Sequence, residues 1–224
     1  GLKILRIGLY VLMLIIVVLI YTATQFWGLN TEEAMDLAQL GRNISFSDGL
    51  ITKNISPMTI YQVESFRSDN NPLIGSHPNL IHPPGYPFLL SLGFKFFELL
   101  GLDLFNLESV RIMPAEQWVI LPINHLFTML TGWLIFSIGK HLFYREIGFI
   151  SMSIYFLSDI AWSTSISGLN ISMAIFFGVA AYQSIIKAMR YKLEDRNIKK
   201  FWIGFSLSLV LLSCAFYTRY ITGI

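Results

Sequence analysis

The chain has 224 residues, of which 54% are hydrophobic and only 13% charged, against about 25% charged in an ordinary soluble domain. Its apolar residues fall in several nearly charge-free runs, and crossing a hydrocarbon layer of about 30 Å takes roughly 20 helical residues, so soluble enzyme folds are excluded. A net charge of +2, with acids and bases in separate stretches, leaves no continuous basic surface for nucleic acid. The single cysteine, Cys214, excludes an intrachain disulfide or a cysteine metal cage.

The first predicted element is a transmembrane helix within residues 1–26: Ile7 to Asn30 carries no charge and follows Lys3 and Arg6. A cleaved signal peptide is the competing reading, but the run meets or exceeds an h-region of about 7–15 residues and lacks a clear small-x-small site. Residues 27–114 form a large loop. Asn30 or Thr31 is an expected N-cap, Glu33 can close a capping box on Asn30, and Gly41 is the expected end of a three-turn helix. The stretch Gly41–Asn79 has no period and reads as loop. His82-Pro83-Pro84-Gly85-Tyr86-Pro87 is a rigid turn into Tyr86–Phe105. That segment is apolar but interrupted by Lys95 and Glu98, each costing roughly 2.5–3.5 kcal/mol at a bilayer centre. It reads as an interfacial helix whose Phe88, Leu89, Leu92, Phe96, Leu99 and Leu100 form one apolar face.

Residues 115–224 supply four more predicted crossings: Gln117–Gly139, Ile147 to Trp162 past Asp159, Leu169–Ile186 and Phe201–Thr218. The expected fold class is an all-α polytopic membrane protein with about five crossings. The positive-inside rule supports that count, because ten of the fourteen acids fall in residues 27–116 while Lys140, Arg145 and the basic stretch Lys187–Lys200 fall in the opposite loops. The expected placement is a bacterial inner or plasma membrane, with the N-terminus cytoplasmic and the large loop extracytoplasmic. The chain begins at Gly1 rather than Met and stops just past an apolar run, so a further C-terminal part is expected.

Several residues carry chemistry in this frame. Glu32 and Glu33 open a surface helix at headgroup depth; the helix dipole alone favours acids there, and catalysis is the sharper reading. His82 sits where a hydrogen-bonding or cationic group could hold a phosphate. No carboxylate is placed to complete a zinc site with His77 and His82. Asp159 lies about one turn before the predicted turn Ser163–Asn170, and an ionisable residue near a membrane helix end is a functional-site hypothesis, with simple contact to water as the alternative. Arg219 is a snorkelling anchor or a phosphate ligand. Pro122, Asn124 and His125 mark a polar step in the second crossing, read as packing. The Asn-Ile-Ser triplets at Asn43, Asn54 and Asn170 are weak glycosylation signals.

The order of these features, with HPPGYPFLLSLGFKFFELLG, IFSIGKHLFYREIGFISMSIYFLS and CAFYTRY, resembles the N-terminal portion of the GT-C membrane glycosyltransferases, in the branch of the protein O-mannosyltransferases and the bacterial lipid A aminoarabinose transferases. The resemblance implies transfer of a sugar, usually with inversion, from a polyprenyl-phosphate-linked donor to a lipid, glycan or protein acceptor. It gives Glu32 the role of base and places Glu33 beside it to orient the helix or a metal ion. It gives His82 and Arg219 contact with the carrier phosphate. Asp159 and Asn170 fall near the acceptor or a divalent metal, the one cofactor the resemblance leaves open. Two departures stand out: Glu32-Glu33 replaces the family's Asp-Glu, and Asn170 replaces an Asp. A polytopic transporter segment and a non-catalytic scaffold of the same fold are the rival readings.

Overall fold

The computed structural model describes residues 2–52, 77–79, 81–102, 104–105, 114–193 and 196–220. Among them are eight α-helices and one two-stranded ribbon. The helices are α1 (Leu2–Gln25), α2 (Glu32–Ser45), α3 (Gly85–Leu99), α4 (Leu121–Leu142), α5 (Arg145–Leu157), α6 (Asp159–Ile166), α7 (Ile171–Leu193) and α8 (Ile198–Thr218). The ribbon pairs β1 (Ile51–Thr52) antiparallel to β2 (His77–Pro78). Asn54 and the rest of the loop between the two strands lie outside the described residues.

Among the described residues, three helices are long and apolar enough to cross a membrane: Glu116–Leu142, Ile171–Leu193 and Ile198–Thr218. This is the architecture of an integral membrane protein. Where side chains are described, α1 contributes a shorter apolar helix, Leu12–Gln25, whose Leu12, Met13, Ile16, Leu19 and Ile20 are all exposed. The expected crossing Ile147–Trp162 is not one rod. It breaks at Ser158, in extended backbone, into α5 of 13 residues and α6 of 8. Asp159 opens the second piece, where an acid in the first turn meets the positive end of the dipole. Ser163–Ile166, expected in a turn, are therefore helical, and the turn shrinks to Ser167–Asn170.

Helix α4 is preceded by one π-helical turn, Glu116–Ile120, with Pro122 in the first turn of α4 proper. Because the helical backbone is continuous from the π-turn into α4, Pro122, which has no N–H, leaves one intrahelical bond unmade there, and a wide π-turn is a usual way for a helix to accommodate such a step. Helix α7 packs along α8 and against α4, and α4 against α5.

Beside the bundle, α2 lies on α3. Thr31 is the N-cap, its hydroxyl accepting from the Ala34 N–H at 3.2 Å. The helix does not stop at Gly41 but runs on to Ser45. Gly41 is an approach point: a Cβ there would stand 2.8 Å from Leu90 Cβ and 3.2 Å from the Pro87 carbonyl oxygen. Ala34 and Leu37 of α2 and Tyr86, Leu90 and Phe94 of α3 form the centre of the core, joined by Val119 and Ile120, and Leu40 of α2 is fully buried as well. Each such leucine contributes about 1.5–3 kcal/mol relative to exposure in water. The opposite face of α3, Phe88, Leu92, Phe96, Leu99 and Leu100, is exposed as the pattern predicts, while Leu89 turns partly into the core.

Candidate functional site

The spacing of residues on α2 creates the site. With the core face of the helix turned to α3, Glu32, Met35, Asp36, Gln39 and Arg42, at helical spacings of three and four, form a second stripe. That stripe borders a cavity of about 690 Å³, whose remaining walls include Phe94, Phe105, Glu116 and Ile120. Its lining is mixed: carboxylates, an amide and a guanidinium against an apolar, aromatic wall. Glu116 enters at the π-turn, and its carboxylate accepts the Leu29 backbone N–H.

Asp36 is the most constrained group on the stripe. It is buried, and its Oδ1 accepts from Thr52 Oγ1 at 2.5 Å while Oδ2 accepts from Asn79 Nδ2 at 2.8 Å. His82 Nε2 stands 3.0 Å from Oδ2. An ionised carboxylate only accepts, so the ring nitrogen facing it carries a proton. Asn79 closes the arrangement, its Oδ1 accepting the N–H groups of Ile81 and His82 at 3.0 and 3.1 Å. Burial pushes the Asp36 carboxyl up, but the hydrogen bonds from His82, Thr52 and Asn79 and the attraction of His82 outweigh it. The net effect holds the carboxyl below its ordinary value of 3.8. Thr52 ends β1 and Asn79 directly follows β2, so Asp36 ties α2 to the ribbon and to the turn into α3.

A second knot closes the same end of the bundle. Gly168 has φ +74°, and a Cβ there would fall 2.2 Å from Leu29 Cδ2 and 3.4 Å from Ala34 Cβ; the 167–170 turn therefore rests on the start of α2. The fully buried Tyr86 hydroxyl shares its proton between Asn124 Oδ1 at 3.1 Å and the Gly168 carbonyl at 3.2 Å. Asn170 donates to the Thr218 carbonyl at 2.6 Å and accepts from Arg219 Nη1 at 3.3 Å. Gly85 seats the other side, where a Cβ would stand 2.6 Å from the Tyr217 carbonyl oxygen.

The six expected site residues are thus partly gathered. Glu32 lines the cavity; Glu33 is half-buried outside its lining. His82 joins Asp36, and Arg219 joins Asn170. Asp159 stands at the far end of α6 from the turn, roughly 10 Å along the helix, where the Tyr21 hydroxyl donates to it at 2.6 Å. Asp36, Arg42 and Glu116 are the additions that sequence reasoning missed. The i+4 and i+10 spacing from Glu32 was the available signal for the first two; nothing in the sequence pointed to Glu116.

Further into the bundle, His125 bridges Ser165 Oγ at 2.5 Å through Nδ1 and Thr22 Oγ1 at 3.0 Å through Nε2, linking α4, α6 and α1. With Asn124 also bonded, to the Leu169 carbonyl at 3.3 Å, this polar step is packing, as expected.

No three His, Cys, Asp or Glu side chains converge as metal ligands among the described residues. Asp36, Asp159 and Asn170 already hold protein partners. Among the described residues this donor set does not fit a bound divalent ion. In comparisons with known proteins, no protein family, no curated protein and no solved structure matches the chain.

Proposed function

We propose that the protein is a GT-C-like glycosyltransferase that moves a sugar from a polyprenyl-phosphate-linked donor to an acceptor hydroxyl on the extracytoplasmic side of the membrane. In this reading α1 and the broken α5–α6 pair complete five crossings, with the α2–α3 unit at the outer headgroup level. The observation that carries the reading is Glu32 on the wall of a cavity that sets carboxylates opposite an apolar, partly aromatic wall, beside a helix with an exposed apolar face. Sugars present both hydroxyls and apolar ring faces, and a lipid-borne donor arrives from the membrane side.

The chemistry asks little of the protein. The Glu32 carboxylate takes the proton of the acceptor hydroxyl; the acceptor oxygen bonds to the anomeric carbon as the bond from that carbon to the phosphate oxygen breaks. The electron pair leaves with the phosphate, a leaving group of low basicity that needs no strong acid. His82 and Arg219, the cations that the resemblance assigns to the phosphate, lie outside the cavity lining, so in this reading they act on the leaving phosphate only at long range. A non-catalytic scaffold is the second reading, favoured by the engagement of Asn170 and Arg219 with each other at the close of α8.

The test is transfer or hydrolysis from a panel of radiolabelled polyprenyl-phosphate sugars by the protein in membranes, wild type against Glu32→Gln. Turnover with one donor, lost in Glu32→Gln by about a hundredfold or more with donor binding retained, is the expected result. Turnover that survives the substitution moves the base elsewhere, and absence of both turnover and binding in the wild type favours the scaffold.

A further inference from the structure

Of the cations expected to meet a phosphate, His82 is bonded to Asp36 and Arg219 to Asn170. Neither borders the cavity, whereas Arg42 does. Its guanidinium carbon lies 4.8 Å from the centre of the Phe105 ring and 5.7 Å from that of Phe46, two rings themselves 5.7 Å apart. Contact with an aromatic ring uses the charge of a guanidinium and leaves N–H donors of its planar fork available to an oxyanion. Among the described residues no carboxylate lies within ion-pair distance of it.

The position along α2 sharpens the point. Glu32 and Arg42 are ten residues apart, roughly 15 Å along the axis. The cavity therefore has an acidic end and a basic end, with Gln39 between them. That span is too long for one phosphate to touch both ends and suits a molecule with hydroxyls at one end and an anion at the other. The charge of Asp36, the nearest acid on the stripe, is directed to Thr52, Asn79 and His82. The apolar rings under Arg42 lie where an anion borne on a hydrocarbon chain would bring its first carbons.

We propose that Arg42, held on Phe105 and Phe46, is a binding residue for a lipid-borne phosphate, the cavity lying between that phosphate and Glu32. The assignment rests on the reading of the cavity as a donor site, but its test separates the two.

The experiment measures binding to the protein in nanodiscs of three probes: undecaprenyl phosphate, undecaprenol, which lacks the phosphate, and phosphatidylglycerol. Wild type is compared with Arg42→Gln, Arg42→Lys and Arg219→Gln. The expected result is a loss of about ten- to a hundredfold in undecaprenyl phosphate affinity in Arg42→Gln, the range for a hydrogen bond to a charged group. Partial recovery in Arg42→Lys, a smaller loss in Arg219→Gln and undecaprenol binding unchanged complete it. If phosphatidylglycerol binds as tightly and with the same dependence on Arg42, the phosphate site stands and the selective donor site fails. Wild-type affinity for undecaprenyl phosphate in Arg42→Gln overturns the proposal, even where turnover dependent on Glu32 persists. Equal losses for undecaprenyl phosphate and undecaprenol overturn it too, since they place the effect in the packing of the rings. No binding of any probe by the wild type overturns both the proposal and the donor site.

Discussion

Two of the polar knots in this molecule, those at Asp36 and His125, are built from different materials. At Asp36 an ionised carboxylate gathers three donors, from Thr52, Asn79 and His82, at the side of the bundle. At His125, inside the bundle, an imidazole meets only hydroxyls, those of Ser165 and Thr22. The contrast follows from the cost of charge. A buried carboxylate is tolerable where several donors share it, whereas between apolar helices a neutral ring with neutral partners avoids the penalty. The first knot fixes the stripe that lines the cavity, and the second fixes the end of α1.

Breaking the charged knot is expected to have the larger effect. Asp36→Ala strands Asn79, Thr52 and His82 together and is expected to cost about 3 kcal/mol or more, read as a drop in the thermal unfolding midpoint of the detergent-solubilised protein. Acid should probe the same knot without mutation. Because the folded Asp36 carboxyl sits below its ordinary value of 3.8, the stability it contributes is fully present above about that pH. It is lost as pH falls from there through the lower folded value. The difference in unfolding midpoint between wild type and Asp36→Asn should therefore shrink as the solution is acidified below pH 4, and a constant difference would contradict the assignment.

The neutral knot should yield less. His125→Leu is expected to cost about 1 kcal/mol, the scale of hydrogen bonds between membrane helices, with α1 rather than the α2–α3 unit loosened. Protease accessibility of α1 against that of α2 distinguishes the two. The smallest effect belongs to Tyr21→Phe. It removes one hydroxyl from an exposed Asp159, worth about 0.5–1 kcal/mol, and should leave the α2 cavity unaltered in any ligand-binding assay.

Elements whose cause is local were legible in the sequence. The long apolar helices, the amphipathic α3 and the start of α2 follow from charge-free length, an apolar stripe and a Thr-Glu-Glu opening. The break at Ser158 was harder, because the apolar run continues on both sides and only the Ser158-Asp159 step marks it. The Asp36 knot was illegible for another reason. Its partners come from positions 52, 79 and 82, and their convergence depends on the ribbon pairing Ile51 with Pro78 and Thr52 with His77. Asp36 on its own reads as one more acid on a surface helix. Gly41 misled because a glycine required by a neighbouring helix looks the same in sequence as one that ends its own.

The contact of Gly85 with the Tyr217 carbonyl, and of Asn170 with Thr218 and Arg219, has a consequence in time. A chain is made from its N-terminus, so α2 and α3 emerge long before the last turn of α8 exists to brace them. The cavity wall is laid down early and this buttress arrives later. Until α8 is in place, a nascent chain holds Glu32 and Arg42 on one helix without this brace behind the turn into α3, which makes the arrival of α8 a step on which the setting of the cavity wall depends.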